Sequence, residues 1–124
     1  MRWLALGIMT NSDAVAIPGG TGALGFGLAK RLAAAGVPVV IGSRDAGRAA
    51  EAAEKVIERA GGGDVTGVAN EEAAGRASTV LLAVPFRAQS ENLNNMRNAL
   101  QPQTTLIDAT VPLAAAVGGR ATRT

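Results

Sequence analysis

Three glycines near the amino terminus have the spacing of a phosphate-binding turn. Gly20, Gly22 and Gly25 follow the pattern GxGxxG and come directly after an apolar run at residues 14–17. In such a corner one glycine makes the tight turn, one lets backbone approach a pyrophosphate, and one permits close packing of the next helix. A helix that begins near Ala23 would add unpaired N–H groups and the positive end of its dipole. The spacing therefore predicts a binding site for a dinucleotide.

The residues around the glycines favour this interpretation over a turn that serves packing alone. A chain with 16 glycines can produce the spacing by chance. However, Leu24, Leu28 and Leu32 stand four residues apart and predict one apolar face of a helix after the turn. Strand, glycine turn and helix in this order are the setting that the motif requires. We expect ligand contact along the whole turn, at Gly19, Gly20, Thr21, Gly22, Ala23, Leu24 and Gly25.

The end of the expected second strand indicates which dinucleotide binds. Residues 37–41 predict a buried strand, and Ser43 and Arg44 follow it. NAD sites normally place a carboxylate there for the ribose 2′-hydroxyl, whereas a guanidinium and a hydroxyl suit a 2′-phosphate. Arg48 lies one helical turn beyond Arg44, and we expect it and Thr21 to reach the same phosphate. The sequence therefore favours NADP over NAD.

Two alternatives to this NADP site stay open. Arg44 and Arg48 would form a solvated basic edge if no phosphate bound there. Asp45, the neighbour of Arg44, would be the ribose acid if the ligand were NAD.

Composition limits the chemistry that the chain itself can perform. A chain of 124 residues with 48% hydrophobic and 18% charged residues is typical of one soluble globular domain. The absence of cysteine and histidine excludes disulfides, thiolate nucleophiles, the usual zinc ligands and histidine acid–base catalysis. Scattered arginines and 2% aromatic residues argue against nucleic acid binding. We expect no catalytic side chain and no metal, so that a bound cofactor supplies the reactivity.

The first residues precede the expected domain. Residues 1–9 are apolar after one arginine, but the run is too short to span a bilayer and has no clear cleavage site. Met9 is an alternative start, since a polar segment follows it. We expect an extension over residues 1–12, a domain over residues 13–124, no membrane partner and a cytoplasmic location.

Apolar runs alternate with helical patterns along the rest of the chain. Further strands are predicted at 64–68, 79–84 and 104–108, and helices at 45–60, 70–74 and 87–100, of which 70–74 is a short capped helix. The alternation predicts an α/β fold of Rossmann type, with a doubly wound parallel sheet of five strands in the order 3-2-1-4-5 between two layers of helices. Ligands bind at the carboxyl ends of such strands, so Ala83, Val84 and Pro85 at the fourth strand join the candidate site.

Five segments in this order resemble the NADPH-dependent reductases of the deazaflavin coenzyme F420; they are residues 19–25, 40–44, 70–74, 82–86 and 110–113. The resemblance implies hydride transfer between the nicotinamide C4 and the deazaflavin C5. It also implies that Thr21, Ser43, Arg44 and Arg48 hold the 2′-phosphate and that residues 83–85 lie beside the nicotinamide. Direct transfer between stacked rings depends on orientation and exclusion of water, and it requires no protein acid or base.

Members of that family continue beyond this length. They carry a sixth strand and a smaller helical domain that covers the deazaflavin and forms a homodimer, so the resemblance implies that the chain is the amino-terminal part of such an enzyme. The fifth strand would then be an exposed sheet edge. Two other functions stay open, a non-catalytic NADP(H) sensor and the NADP-binding domain of an imine or hydroxyacid reductase.

Overall fold

Five parallel strands form the centre of the structure, a computed structural model that describes residues 11–83 and 89–109. Their order across the sheet is β3-β2-β1-β4-β5, and every neighbouring pair is parallel, as predicted. The strands are β1 (Asn11–Ile17), β2 (Val39–Ser43), β3 (Val65–Ala69), β4 (Ala77–Leu82) and β5 (Thr105–Asp108).

Four helices cover the two faces of this sheet. They are α1 (Ala23–Ala34), α2 (Ala46–Ala60), α3 (Asn70–Arg76) and α4 (Gln89–Met96). Helices α1 and α2 pack on one face, and α3 and α4 pack on the other. The doubly wound Rossmann fold is therefore confirmed. Helix α4 is shorter than the predicted segment 87–100, and a turn follows Met96.

Alternate residues of the central strands enter two separate cores. Ile17 and Ile41 are buried with α1 and α2, whereas Ala16 and Val40 are buried with α3 and α4. Successive side chains of a strand point to opposite faces, and a parallel sheet covered on both sides must be apolar on both. This is why the central strands are continuous apolar runs. Their carboxyl ends lie at one edge of the sheet because the strands are parallel.

The buried face of α1 is not the leucine face that the spacing predicts. Leu24 is 50% exposed, and Leu28 and Leu32 only border the core. The fully buried residues of this helix are instead its small ones, Gly25, Ala29 and Ala33. Small side chains let the helix axis approach the sheet closely, so the larger leucines are displaced to the margin of the contact.

The sheet ends at β5, where apolar side chains are exposed. Leu106 is 41% and Ile107 is 48% exposed, although β5 pairs with β4 in regular register. Among the described strands, β5 is thus an exposed edge of the sheet. Within the described ranges, no helix is long and apolar enough to cross a membrane.

Candidate dinucleotide-binding site

The glycine turn between β1 and α1 is attached to the end of β2 and to the start of α3. The Gly20 N–H donates to the Gly42 carbonyl oxygen at 3.1 Å, and the Gly19 N–H donates to Asn70 Oδ1 at 3.0 Å. Gly19 has a φ of +69°, in the left-handed region that favours glycine. Two successive amides of the turn are therefore bonded to the protein itself.

Two of the three motif glycines are required by packing. A Cβ on Gly20 would lie 2.7 Å from the Ile17 carbonyl oxygen, and a Cβ on Gly25 would lie 2.7 Å from the Gly20 Cα. Gly25 therefore presses the first turn of α1 directly against the glycine turn. This is the role that the motif assigns to its last glycine.

Gly22 is different, because the protein leaves room for a side chain there. It is exposed, and a Cβ on it would meet nothing nearer than the Gly19 carbonyl oxygen at 3.9 Å. Its φ of −77° is open to any residue. The fold itself therefore does not require glycine at this position, which is the one that the motif gives to the approach of a pyrophosphate.

The start of α1 has the properties of an anion site. Gly22 is the N-cap, no side chain caps the helix, and its first turn contains no acidic residue. The first N–H groups of a helix have no partner within the helix and lie at the positive end of its dipole. Ala23 and Leu24 in this turn are exposed, so the start of α1 lies at the protein surface.

The last residue of β2 and the first residue after it are the predicted hydroxyl and guanidinium. Ser43 is the buried residue of the pair, only 8% exposed, and its Oγ accepts from the Asp45 N–H at 3.2 Å. A hydroxyl that accepts in this way keeps its own proton free to donate. Arg44 is exposed beside it.

Asp45 has a structural role in this turn. It is the N-cap of α2, and its Oδ1 accepts from the Gly47 N–H at 2.8 Å and the Arg48 N–H at 3.4 Å. Capping carboxylates are held in this way by the helix that they begin. This geometry accounts for the acidic residue without a ribose and favours the NADP interpretation over the NAD alternative.

A cavity of about 350 Å³ lies between the start of α1 and the outer face of α2. It brings Thr21 and Arg48 together as the sequence predicts, whereas Ser43 and Arg44 are not in its lining. The cavity wall is formed by Thr21, Phe26, Arg48, Glu51, Ala52 and Lys55. Arg48 and Lys55 bring two positive charges to the wall, and Glu51 of the same helix brings one negative charge.

Phe26 and Lys55 are cavity residues that the sequence interpretation missed. The guanidinium carbon of Arg59 lies 5.8 Å from the centre of the Phe26 ring, so the aromatic residue carries a cation on its face. Lys55 stands seven residues after Arg48, the spacing of one helical face. That spacing could have identified Lys55, but no local pattern links Phe26 to α2.

The crevice beyond β4 is described only in part. Ala83 is 5% exposed directly after the strand, and the Ala109 N–H donates to the Leu82 carbonyl oxygen at 2.9 Å. Val84, Pro85 and the matching segment 110–113 lie outside the described residues. Among residues 11–83 and 89–109, no group of acidic residues could hold a metal ion.

Comparisons with known sequences indicate one family. The profile of a family described as coenzyme F420-dependent NADP oxidoreductase matches residues 14–112. A protein named F420-dependent NADP reductase from Methanothermobacter thermautotrophicus is 48% identical over 111 residues, which cover 88% of this chain and 47% of the relative. One of the same name from Methanocaldococcus jannaschii is 37% identical over 113 residues, 88% of this chain and 50% of the relative. The chain spans about half the length of the curated relatives it matches.

Solved structures share the fold at low identity. (S)-3-hydroxybutyryl-CoA dehydrogenase from Ralstonia eutropha superposes with a TM-score of 0.63 at 15% identity, over 79% of this chain and 41% of that one. Lactate dehydrogenase from Eimeria maxima gives a TM-score of 0.62 at 18% identity, over 90% of this chain and 40% of that one. These similarities support the Rossmann architecture alone.

Proposed function

The chain belongs to the family of coenzyme F420-dependent NADP oxidoreductases, and on this premise we propose that it is the domain that binds NADP(H) for hydride exchange with F420. The observation that carries the proposal is Gly22, which is exposed and has space for a Cβ in the protein alone. A bound pyrophosphate would explain the glycine, since it would occupy the space that a side chain at position 22 would otherwise take. The uncapped N–H groups of α1 would donate to the same phosphates.

We assign the 2′-phosphate to four residues, two at the end of β2 and two in the cavity wall. The Ser43 proton, the exposed guanidinium of Arg44 and the cavity residues Thr21 and Arg48 offer donors and positive charge from two sides. Asp45 Oδ1 already accepts from the Gly47 and Arg48 N–H groups, so this carboxylate has a structural role as the cap of α2. The arrangement favours NADP(H) over NAD(H).

The proposed dinucleotide site includes no residue that we assign as a catalytic acid or base. The nicotinamide ring supplies hydride chemistry when it is bound. The glycine turn and the first turn of α1 would fix the pyrophosphate, and the 2′-phosphate residues would fix the adenosine end. We place the nicotinamide half beside residues 83–85, where buried Ala83 would exclude water from one side. The chain thus orients the ring and leaves the reaction to the two cofactors.

The activity and partners of the whole enzyme are also proposals, because the chain covers about half the length of its relatives. We propose that F420 is the redox partner, that a homodimer is the working assembly, and that the protein acts in the cytoplasm. Neither nucleic acid nor a membrane is part of this function.

Calorimetric titration of the 124-residue chain with NADPH and NADH tests the binding step. We expect NADPH to bind more tightly, and equal affinities would overturn the assignment of the 2′-phosphate. Hydride transfer is tested on a protein of the relatives' full length, by mixing it with NADPH and F420 and following the deazaflavin absorbance. Loss of absorbance supports the reductase, whereas binding without it supports the sensor or another reductase.

A further inference from the structure

Asn70, the first residue of α3, uses its side chain in an unexpected way. Asparagine at a helix start normally caps its own helix, and residues 70–74 were predicted to be a capped helix. That prediction was wrong in this detail, because Ala69 is the N-cap and no side chain caps α3. Asn70 Oδ1 instead accepts from the Gly19 N–H, 51 residues earlier in the chain.

The end of β2 is shaped around this contact. A Cβ on Gly42 would lie 2.7 Å from Asn70 Oδ1 and 3.1 Å from the Ala73 Cβ. Any larger residue at position 42 would therefore displace the amide oxygen. Gly42 also accepts from the Gly20 N–H at 3.1 Å, so adjacent amides of the turn are bonded to Asn70 and Gly42.

These two bonds determine which amides remain for a ligand. With the Gly19 and Gly20 N–H groups occupied, the donors that follow in the chain belong to Thr21, Gly22 and the first turn of α1. The Gly22 N–H has only a long 3.5 Å contact with the Gly19 carbonyl oxygen. Gly19 is held at a φ of +69°, a conformation that fixes the direction of the peptides after it.

We propose that Asn70 is a positioning residue for the dinucleotide, which holds the glycine turn in the shape that presents the Gly22 and α1 amides to the pyrophosphate. It acts through Gly19 and requires no contact with the ligand. The proposal rests on the proposed function, since it explains how the same site is prepared before NADP(H) arrives. A prepared site loses less conformational entropy on binding than a mobile turn would.

Substitution of Asn70 by leucine tests the proposal, because leucine has a similar shape and no acceptor. We expect NADPH affinity to fall about tenfold, the typical effect of losing one partly buried hydrogen bond. Adenosine 2′-monophosphate, which has the 2′-phosphate and no pyrophosphate, should change by less than about twofold, since contacts that do not share a partner are nearly independent. Equal losses for both probes would show a general loss of structure and overturn the proposal, as would no loss for either.

Hydrogen exchange of the unliganded chain gives a second readout at the amide itself. The Gly19 N–H should exchange faster in Asn70→Leu, while Asn70→Asp, which keeps an acceptor oxygen, should restore its protection. Unchanged Gly19 exchange in Asn70→Leu would overturn the proposal. Asn70→Ala replaces the leucine variant if that variant fails to fold. Asn94→Leu is the matched control, since Asn94 is exposed on α4 and bonds to Arg97.

The two proposals fail in different ways. A wild-type chain that binds neither NADPH nor adenosine 2′-monophosphate would overturn the proposed function and, with it, the role of Asn70 in binding. A wild-type chain that binds NADPH, together with an Asn70→Leu chain that binds it equally well, would overturn the role of Asn70 alone.

Discussion

Gly25 and Gly20 touch through backbone atoms, since a Cβ on Gly25 would lie 2.7 Å from the Gly20 Cα and 3.1 Å from its carbonyl carbon. This contact joins the first turn of α1 to the phosphate turn without any intervening side chain. The obstacle to a larger residue at position 25 is the Gly20 backbone, which cannot rotate away as a flexible side chain can. Substitution at this position should therefore affect both stability and binding.

The first prediction concerns this contact. Gly25→Ala should lower the free energy of unfolding by about 1 to 3 kcal/mol, the usual cost of overpacking, and weaken NADPH binding because the turn is displaced. Gly27→Ala is the matched control in the same helix, since a Cβ there meets nothing within 4 Å. The control should be as stable as the wild type or more stable by up to about 1 kcal/mol, because alanine favours helix. Denaturant unfolding of both variants measures the difference, and equal stabilities would contradict it.

The second prediction concerns the choice of dinucleotide. Arg44→Ala should weaken NADPH binding roughly tenfold to a hundredfold, or about 1.4 to 2.8 kcal/mol, because a charge-assisted bond to the 2′-phosphate is lost. NADH, which lacks that phosphate, should bind as before. Arg31→Ala, an exposed arginine in the last turn of α1, serves as the control. Titration calorimetry provides both affinities, and equal losses for the two dinucleotides would refute the role of Arg44.

The third prediction separates the two possible roles of Asp45. Asp45→Ala should lower the stability of the chain by about 1 kcal/mol, since the α2 amides of Gly47 and Arg48 lose their cap. Asp45→Ser should recover most of this loss, because serine also caps helices. NADH affinity should be the same in all three proteins. A marked fall in NADH affinity in both variants would instead identify Asp45 as a ribose ligand.

The fourth prediction concerns the core on the α3 and α4 side of the sheet. Met96 is fully buried at the end of α4 and belongs to the cluster that contains Val80 and Leu82 of β4. Met96→Ala should cost about 2 to 5 kcal/mol, the range for large-to-small changes in a core. Asn95→Ala at the exposed neighbouring position should change stability by less than about 0.5 kcal/mol. Thermal or denaturant unfolding distinguishes them, and similar curves would show that α4 does not contribute to the core.

Apolar runs were sufficient to predict the sheet, and the glycine spacing was sufficient to locate the turn. Strand order follows from alternation and from the handedness of crossovers, which depend on the chain as a whole and tolerate errors of a few residues at each boundary. The predicted strand at 79–84 illustrates this tolerance, because β4 runs from Ala77 to Leu82 without any change in its neighbours.

The face of α1 was predicted only in part, since Leu28 and Leu32 pack against the core but Leu24 is exposed. Periodicity weighs side chains by hydrophobicity, and it therefore selected Leu24, Leu28 and Leu32. The distance between helix and sheet is decided by the smallest residues, and here Gly25 and Ala29 bring the backbone into contact first. Hydrophobicity alone does not indicate how closely a helix can pack.

The partner of Asn70 and the residues of the cavity wall could be identified only from the three-dimensional structure. Gly19 and Asn70 are 51 residues apart, and no local spacing connects them. Phe26 and Lys55 likewise line one cavity from two different helices. The roles assigned to Ser43, Arg44 and the other site residues remain predictions that the binding experiments test.

The all-backbone contact beneath the glycine turn has a consequence for thermal motion. Side chains that fill a gap can change rotamer, and a site supported by them moves with each change. Gly25 and Gly20 have no rotamers, and van der Waals repulsion between their main-chain atoms rises steeply with any compression. The vibrations of α1 should therefore be transmitted to the turn as motion of a single rigid unit, so that the spacing between helix amides and turn stays constant while the unit moves.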